Sequence, residues 1–171
     1  MRFIKKVGMH FTQPTTRCSC QISRTIAVVD KLTKKGFTIS NQDWSKRGKI
    51  IIAHKDGRSF NIRVHSKKKN DWPNCKGVSG SNSFLALVDY QGIRLNDEPF
   101  FYILSEKDWI AAIYALVGDR IKKGTVEITE ENVPVCLDQP LKDRKKIYTG
   151  MSLKNRDVVL HKEKWNKFAT G

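Results

Sequence analysis

The chain has 171 residues, 39% of them hydrophobic, which is enough for one domain, with or without a small appendage, around an ordinary core. Its formal net charge of +15 favours a polyanionic partner, above all a nucleic acid. No apolar run approaches the ~20 residues that span a bilayer, and no signal-peptide core is present, so we expect a cytoplasmic protein rather than a membrane protein. The four cysteines do not indicate a disulfide framework, and we expect reduced thiols.

The first predicted elements are a helix and a short strand. Residues 1–21 show no apolar period and are interpreted as an N-terminal extension. Over residues 23–35 apolar side chains recur at spacings of three and four, which is the period of an amphipathic helix. Gly36 follows as a natural C-cap, and residues 37–39 predict a strand.

A β-hairpin is predicted next. Residues 50–53 are a β-branched run and residues 60–66 alternate between apolar and polar, so both favour strands. Asp56-Gly57 between them is typical of a tight turn. Residues 67–80, which include Trp72, are expected to form a polar loop.

Two strands and a second helix complete the predicted core. Residues 84–88 and 100–104 are almost continuously apolar, as expected of strands buried on both faces. Ser105 is placed to cap a helix that has acids in its first turn. The pattern predicts an α/β (α+β) fold with a central mixed β-sheet flanked by helices, comprising a core at 22–124 and a C-terminal segment, 125–171, that packs on it.

The strongest charge cluster lies at residues 46–69, where nine lysines and arginines against the single acid Asp56 give a net charge of +8. The alternation around Arg63 predicts one buried strand face and one face that presents polar side chains to a partner. Such a cluster on a hairpin favours a preformed phosphate-binding surface. For Trp72, base stacking is one reading, and anchoring its loop to the core is the favoured one. The predicted nucleic-acid-binding residues are Lys46, Arg47, Lys49, Lys55, Arg58, Arg63, His65, Lys67, Lys68, Lys69 and Trp72.

Residues 22–110 resemble the PD-(D/E)xK nuclease superfamily, which includes restriction endonucleases and Holliday-junction resolvases. The resemblance lies in the element order: a helix ending in Gly36-Phe37, then the hairpin and the two apolar strands. It implies a restriction-endonuclease-like fold. Active members hold Mg²⁺ with an aspartate on the first hairpin strand and with an acidic or amide residue two positions before a lysine on the second.

The metal-binding motif does not carry over to this chain. The aspartate position falls near Lys49 or Ile50, the acidic or amide position on Arg63 and the lysine position on His65, while a helix glutamate of some members falls near Thr25. A basic site repels divalent cations, so the match predicts no metal and no other cofactor. We therefore expect a pseudonuclease, a non-enzymatic nucleic-acid-binding protein with DNA favoured over RNA.

Three alternatives stay open. The chain could be an active DNA or RNA endonuclease with a non-standard site, and only then would Mg²⁺ be required. One such site would use His54 and His65, on facing strands, as acid and base without a metal. The chain could also be an interaction subunit of a restriction or defence complex, and it could pair with itself or with a partner protein.

Overall fold

The computed structural model describes residues 16–43, 49–67, 69–93, 97–140 and 147–169. Within these ranges the chain forms three α-helices: α1 Thr16–Lys34, α2 Glu106–Lys122 and α3 Asn155–Val158. None of these helices combines the length and the apolar character that crossing a bilayer requires. The described strands are β1 Thr38–Asp43, β2 Lys49–Lys55, β3 Arg58–Ser66, β4 Asp71–Cys75, β5 Ser83–Asp89, β6 Phe100–Ser105, β7 Val126–Ile128, β8 Pro134–Pro140, β9 Ile147–Thr149 and β10 Met151–Lys154.

The centre of the molecule is a five-stranded sheet in the order β1-β2-β3-β5-β6. Strands β3 and β5 pair in parallel, and the other neighbours pair antiparallel. The predicted mixed α/β architecture is confirmed at this level. Residues 84–88 are all buried, as predicted for a strand covered on both faces.

Each face of this sheet packs against its own hydrophobic layer. Alternate residues of β5 divide between the two layers: Phe84 packs with Leu32 of α1, and Leu85 packs with Trp109 of α2. Successive strand residues point to opposite faces, so α1 and α2 cover opposite sides of the sheet. We call these sides the α1 face and the α2 face. The C-terminal 3₁₀ turn Trp165–Ala169 packs on the α1 face through Trp165 and Phe168.

Local signals placed the α2 helix correctly. The Ser105 backbone N–H donates to the Asp108 carboxylate at 2.8 Å, and the Asp108 N–H donates to the Ser105 hydroxyl at 3.4 Å, which forms a complete capping box. Helix α1, in contrast, begins at Thr16, so the predicted extension over residues 1–21 is wrong for its last six residues. These residues lack an apolar period, yet a helix elongates by one hydrogen bond per residue once its nucleus has formed.

The prediction of a loop over residues 67–80 is also wrong in part, because this segment contains strand β4. The strand pairs antiparallel with β10, so that Trp72 lies opposite Leu153. Its partner strand lies almost eighty residues further along the chain, so no local sequence pattern predicts the pairing. Strands β7, β8 and β9 form a separate three-stranded sheet.

Candidate nucleic-acid interface

The predicted hairpin is confirmed, with strands β2 and β3 joined by Asp56 and Gly57. Both turn residues have positive φ, 51° and 73°, as in the tight turns that match strand twist. In the register Lys55 lies opposite Arg58, and Ile50 lies opposite Arg63.

This register divides the basic cluster between the two faces of the sheet. Arg58 shares the α1 face with buried Phe60, whereas Arg63 and His65 alternate with buried Val64 and so belong to the α2 face. The basic side chains predicted to form one surface therefore form two.

The α1-face cations line a cleft of about 490 Å³, which we call the basic cleft. Lys35, directly after α1, joins Lys55 and Arg58 of the hairpin there. Among the described residues that line this cleft, Asp56 is the one acid. The other lining residues are Phe37, Trp165, Asn166, Phe168 and Ala169.

Each cation of the basic cleft is held by a ring or a carbonyl group. The Lys55 Nζ donates to the Lys35 carbonyl at 2.8 Å and lies 5.2 Å from the centre of the Phe37 ring. The Arg58 Nη2 donates to the Phe168 carbonyl at 3.2 Å. The Lys35 Nζ lies 6.0 Å from the centre of the Trp165 ring. The charged groups of these side chains are thus held against aromatic rings and carbonyl oxygens at the cleft.

Two lysines within α1, which do not line this cleft, are paired with a carboxylate. Lys31 and Lys34 donate to the two oxygens of Glu98 at 2.6 and 2.7 Å. Hydrogen bonds from both lysines lower the pKa of Glu98 to about 2, and the bond to Glu98 raises the pKa of Lys34. This exposed triad adds little net charge to the surface.

On the α2 face, Arg63 lines a second cleft of about 280 Å³, which we call the central cleft. The Arg63 Nη1 donates to the Gly77 carbonyl at 2.6 Å, and Nε is buried without a partner in the described ranges. Burial lowers the pKa of Arg63, while Glu131 opposes that shift. The central cleft is lined by Ile50, Asn61, Arg63, Gly77, Val78, Ser79, Ser83 and Glu131.

The histidines do not form the predicted acid–base pair. His54 lies opposite Ser59 near the turn, whereas His65 follows Val64, which pairs with Lys49 at the far end. About six residues of strand, ~20 Å, separate the two rings. Burial, helped by the charges of Arg63 and Lys76, lowers the pKa of His65 to about 4, and its Nε2 is buried without a partner in the described ranges. A neutral ring with a buried Nε2 is a poor phosphate ligand, contrary to prediction.

Lys67 and Trp72 are also not available to a nucleic acid. The Lys67 Nζ forms an ion pair of 2.7 Å with Asp89, and their side chains are only 6% and 3% exposed. Trp72 is fully buried beneath this pair and donates its indole N–H to the Val88 carbonyl at 3.0 Å. This burial argues against phosphate binding by Lys67 and base stacking by Trp72, and it agrees with the anchoring role favoured for Trp72.

The remaining predicted binding residues have different outcomes. Lys69 is exposed. Lys46, Arg47 and Lys68 lie outside the described residues, as does the side chain of Lys49. The basic cleft also contains Lys35, which sequence reasoning assigned only to the end of a helix. Its nearness to Lys55 depends on packing between α1 and the hairpin, which no local pattern encodes.

The residues that match the nuclease metal site do not fit Mg²⁺. Ile50 and Arg63 lie directly opposite each other, so the matched positions do meet, but they offer an alkyl group and a cation. Thr25 is buried on the α1 side, across the sheet from Arg63. Mg²⁺ requires oxygen ligands, and the described residues hold no group of three His, Cys, Asp or Glu side chains that could bind a metal.

No protein-family model, curated protein or solved structure matches this chain. The function is therefore inferred from the residues of this chain and their geometry.

Proposed function

We propose that the protein binds nucleic acid through the basic cleft, with Lys35, Lys55 and Arg58 contacting backbone phosphates. The observation that carries this proposal is the meeting of three cations, one just after α1 and two from the hairpin, in one cleft whose described lining contains a single acid, Asp56. Contacts of this kind give affinity and salt dependence with little sequence preference.

The way these cations are held favours phosphate binding over a purely solubilising role. Lys55 and Arg58 are already oriented by the Lys35 and Phe168 carbonyls, so less side-chain freedom is lost when a ligand binds. The planar fork of Arg58 also suits a phosphate group geometrically. A solubilising surface needs neither property.

The proposal extends to a restriction-endonuclease-like fold that has lost its metal site. It is supported by the succession of α1, β1 and the β2–β3 hairpin, and by the opposed positions of Ile50 and Arg63 where the family holds its ion. On this proposal the protein is not an enzyme, DNA is its preferred partner over RNA, and pairing with a second copy or another protein is compatible with it.

The test compares two triple variants that carry the same net charge. Lys35→Gln, Lys55→Gln and Arg58→Gln together remove the basic cleft; Lys107→Gln, Lys122→Gln and Lys123→Gln remove three exposed charges at α2, on the other face. Binding of a short labelled DNA duplex and its RNA counterpart would be followed by fluorescence anisotropy over a range of salt concentrations, with circular dichroism to verify folding.

We expect the cleft variant to reduce the slope of log affinity against log salt by about 3, since each lost phosphate contact removes ~0.9. The control should keep the wild-type slope. Equal slopes in the two variants would overturn the proposal, because only total charge would then matter. A wild-type protein that binds neither duplex at physiological salt would instead favour an interaction subunit that docks on an acidic protein.

A further inference from the structure

We propose that the central cleft binds one unpaired guanine base, so that the protein reads a base on the α2 face as well as phosphates on the α1 face. This inference rests on the proposed nucleic-acid binding. It starts from the chemistry of two cleft residues of opposite charge, Arg63 and Glu131.

A phosphate group suits this cleft poorly. Arg63 would attract it, but the Glu131 carboxylate lines the same small space and would repel it. Guanine resolves this conflict because it is neutral and has opposite hydrogen-bonding character on two edges. Its N7 and O6 are acceptors, which suit an arginine, and its N1–H and N2 amino groups are donors, which suit a carboxylate.

The other bases match this pair less well. Adenine places a donor, its N6 amino group, where guanine has the O6 acceptor, so Arg63 would face an N–H instead of an oxygen. It also lacks the N2 amino group that would donate to Glu131. The lining side chains of Asn61, Ser79 and Ser83 add donors and acceptors at the rim, as in sites where a few polar groups fix orientation.

The size and walls of the cleft also suit a single base. Its volume of about 280 Å³ lies just below the roughly 300–1,000 Å³ of pockets that enclose drug-sized ligands, which leaves room for one ring system. Ile50 and Val78 provide apolar wall surface that the flat face of a base can cover.

Arg63 is held in position before any ligand arrives. Its Nη1 donates to the Gly77 carbonyl at 2.6 Å, and in the described ranges this is its one hydrogen bond, so Nη2 remains to donate into the cleft. Gly77 packs closely against α2, because a Cβ on this residue would lie 1.8 Å from the Trp109 Nε1, so no side chain fits at this position.

The turn that carries Glu131 is fixed to the same point. The Trp109 indole N–H donates to the Asn132 carbonyl at 2.7 Å. The Asn132 side chain in turn donates to the Val78 carbonyl at 3.3 Å and to Glu106 at 3.0 Å. Asn132, the residue that follows Glu131, is thus bonded both to Trp109 and to the segment that carries Gly77 and Val78, which links the two walls of the cleft. Such preorganisation reduces the cost of binding.

The test is isothermal titration calorimetry of the full chain with guanosine, inosine and adenosine 5′-monophosphates and with inorganic phosphate. We expect guanosine monophosphate to bind about tenfold or more tightly than adenosine monophosphate, with the inosine compound, which lacks the N2 amino group, between them. Glu131→Ala should remove the advantage of guanosine over inosine monophosphate, which differ only in the N2 amino group, and should reduce the preference over adenosine monophosphate, which Arg63 also supports. The matched control is Glu130→Ala, an exposed neighbouring acid that does not line the central cleft.

Equal affinity for the three nucleotides, or an equal response to phosphate alone, would overturn the guanine site. So would a preference that Glu131→Ala and Glu130→Ala change to the same extent. The basic-cleft triple variant distinguishes this failure from failure of the proposed function. If that variant loses duplex binding while the wild-type protein shows no base preference, only the guanine site is disproved. If guanosine monophosphate binds selectively and the variant still binds duplex normally, only the role of the basic cleft is disproved.

Discussion

His65, which the proposed nuclease resemblance matches with a lysine, is a titratable side chain that burial keeps neutral. Burial and the nearby Arg63 and Lys76 charges lower the pKa of His65 to about 4. Its Nε2 has no hydrogen-bond partner in the described part of the chain. Folding therefore holds a neutral imidazole beside two cations, and its protonation opposes folding.

This arrangement predicts a loss of stability in mild acid. The unfolded chain binds the His65 proton near pH 6.5 and the folded protein only near pH 4, so stability is full above pH 6.5 and falls as the pH drops toward 4. The loss is expected to reach roughly 3 kcal/mol. Urea unfolding at several pH values would measure it, with His65→Gln as the comparison.

The His65→Gln variant should lose much less stability over this interval. Part of the acid sensitivity will remain, because burial and Lys167 also lower the pKa of His161. Identical losses in wild type and variant would contradict this role of His65.

Single residues also illustrate how far the sequence determines the site. The sequence shows that the hairpin is basic. The alternation of residues 60–66 also indicates that Arg58 and Arg63, at even and odd positions of the same strand, face opposite sides of the sheet. The burial of Lys67 cannot be predicted from the sequence in this way. Its partner Asp89 comes from β5, whose residues pair in parallel with residues of β3 that lie 22 positions earlier. A lysine looks the same in sequence whether it faces phosphate or a buried carboxylate.

Whether a helix or strand could be predicted depends on how far apart in the sequence its stabilising residues lie. Helix α2 has its cap in consecutive residues, and β5 has an unbroken apolar run, so both were predicted from sequence. Strand β4 is five residues long, contains Pro73 and gains its hydrogen bonds from β10, far along the chain. Propensity cannot indicate such a strand, because its stability comes from tertiary pairing.

The C-terminal segment acts as an element that covers the edge strand β6. The Glu163 N–H donates to the Phe101 carbonyl at 2.8 Å, and Glu163 accepts from the Phe101 N–H at 3.0 Å. The Lys167 Nζ then donates to Asp108 at 2.6 Å and to the Ile103 carbonyl at 3.0 Å. These contacts cover backbone groups of an edge that could otherwise pair with another chain.

Lys167→Met should loosen this attachment. It removes a partly buried charge-assisted hydrogen bond to Asp108 and one to a carbonyl, so the free energy of unfolding should fall by about 1–3 kcal/mol. Amide hydrogen exchange in the Trp165–Ala169 turn should accelerate. Lys164→Met, an exposed change on the same segment, should stay within about 0.5 kcal/mol of wild type. A similar effect of the two variants would mean that Lys167 does not anchor the segment.

In the molecule as a whole, the two clefts differ in the electrostatics they offer. The basic cleft concentrates positive charge on the α1 face, whereas the central cleft balances Arg63 with Glu131 on the α2 face. The net charge of +15 therefore describes the attraction of the whole chain to polyanions, but it does not describe the central cleft. On the proposed function, long-range charge would bring a nucleic acid to the protein, and local hydrogen bonding would select what enters the central cleft.

The same distribution of charge predicts that purified protein will not cleave nucleic acid when Mg²⁺ or Mn²⁺ is added. At the positions that the proposed nuclease resemblance matches with carboxylates, Ile50 lies opposite Arg63, and a guanidinium repels a divalent cation as well as failing to bind it. Plasmid DNA and RNA incubated with each metal and with a chelator would test this by gel electrophoresis. Metal-dependent cleavage that is lost on changing Asp43 or Asp56 would show that carboxylates outside the matched positions complete a working site, and would restore the endonuclease reading.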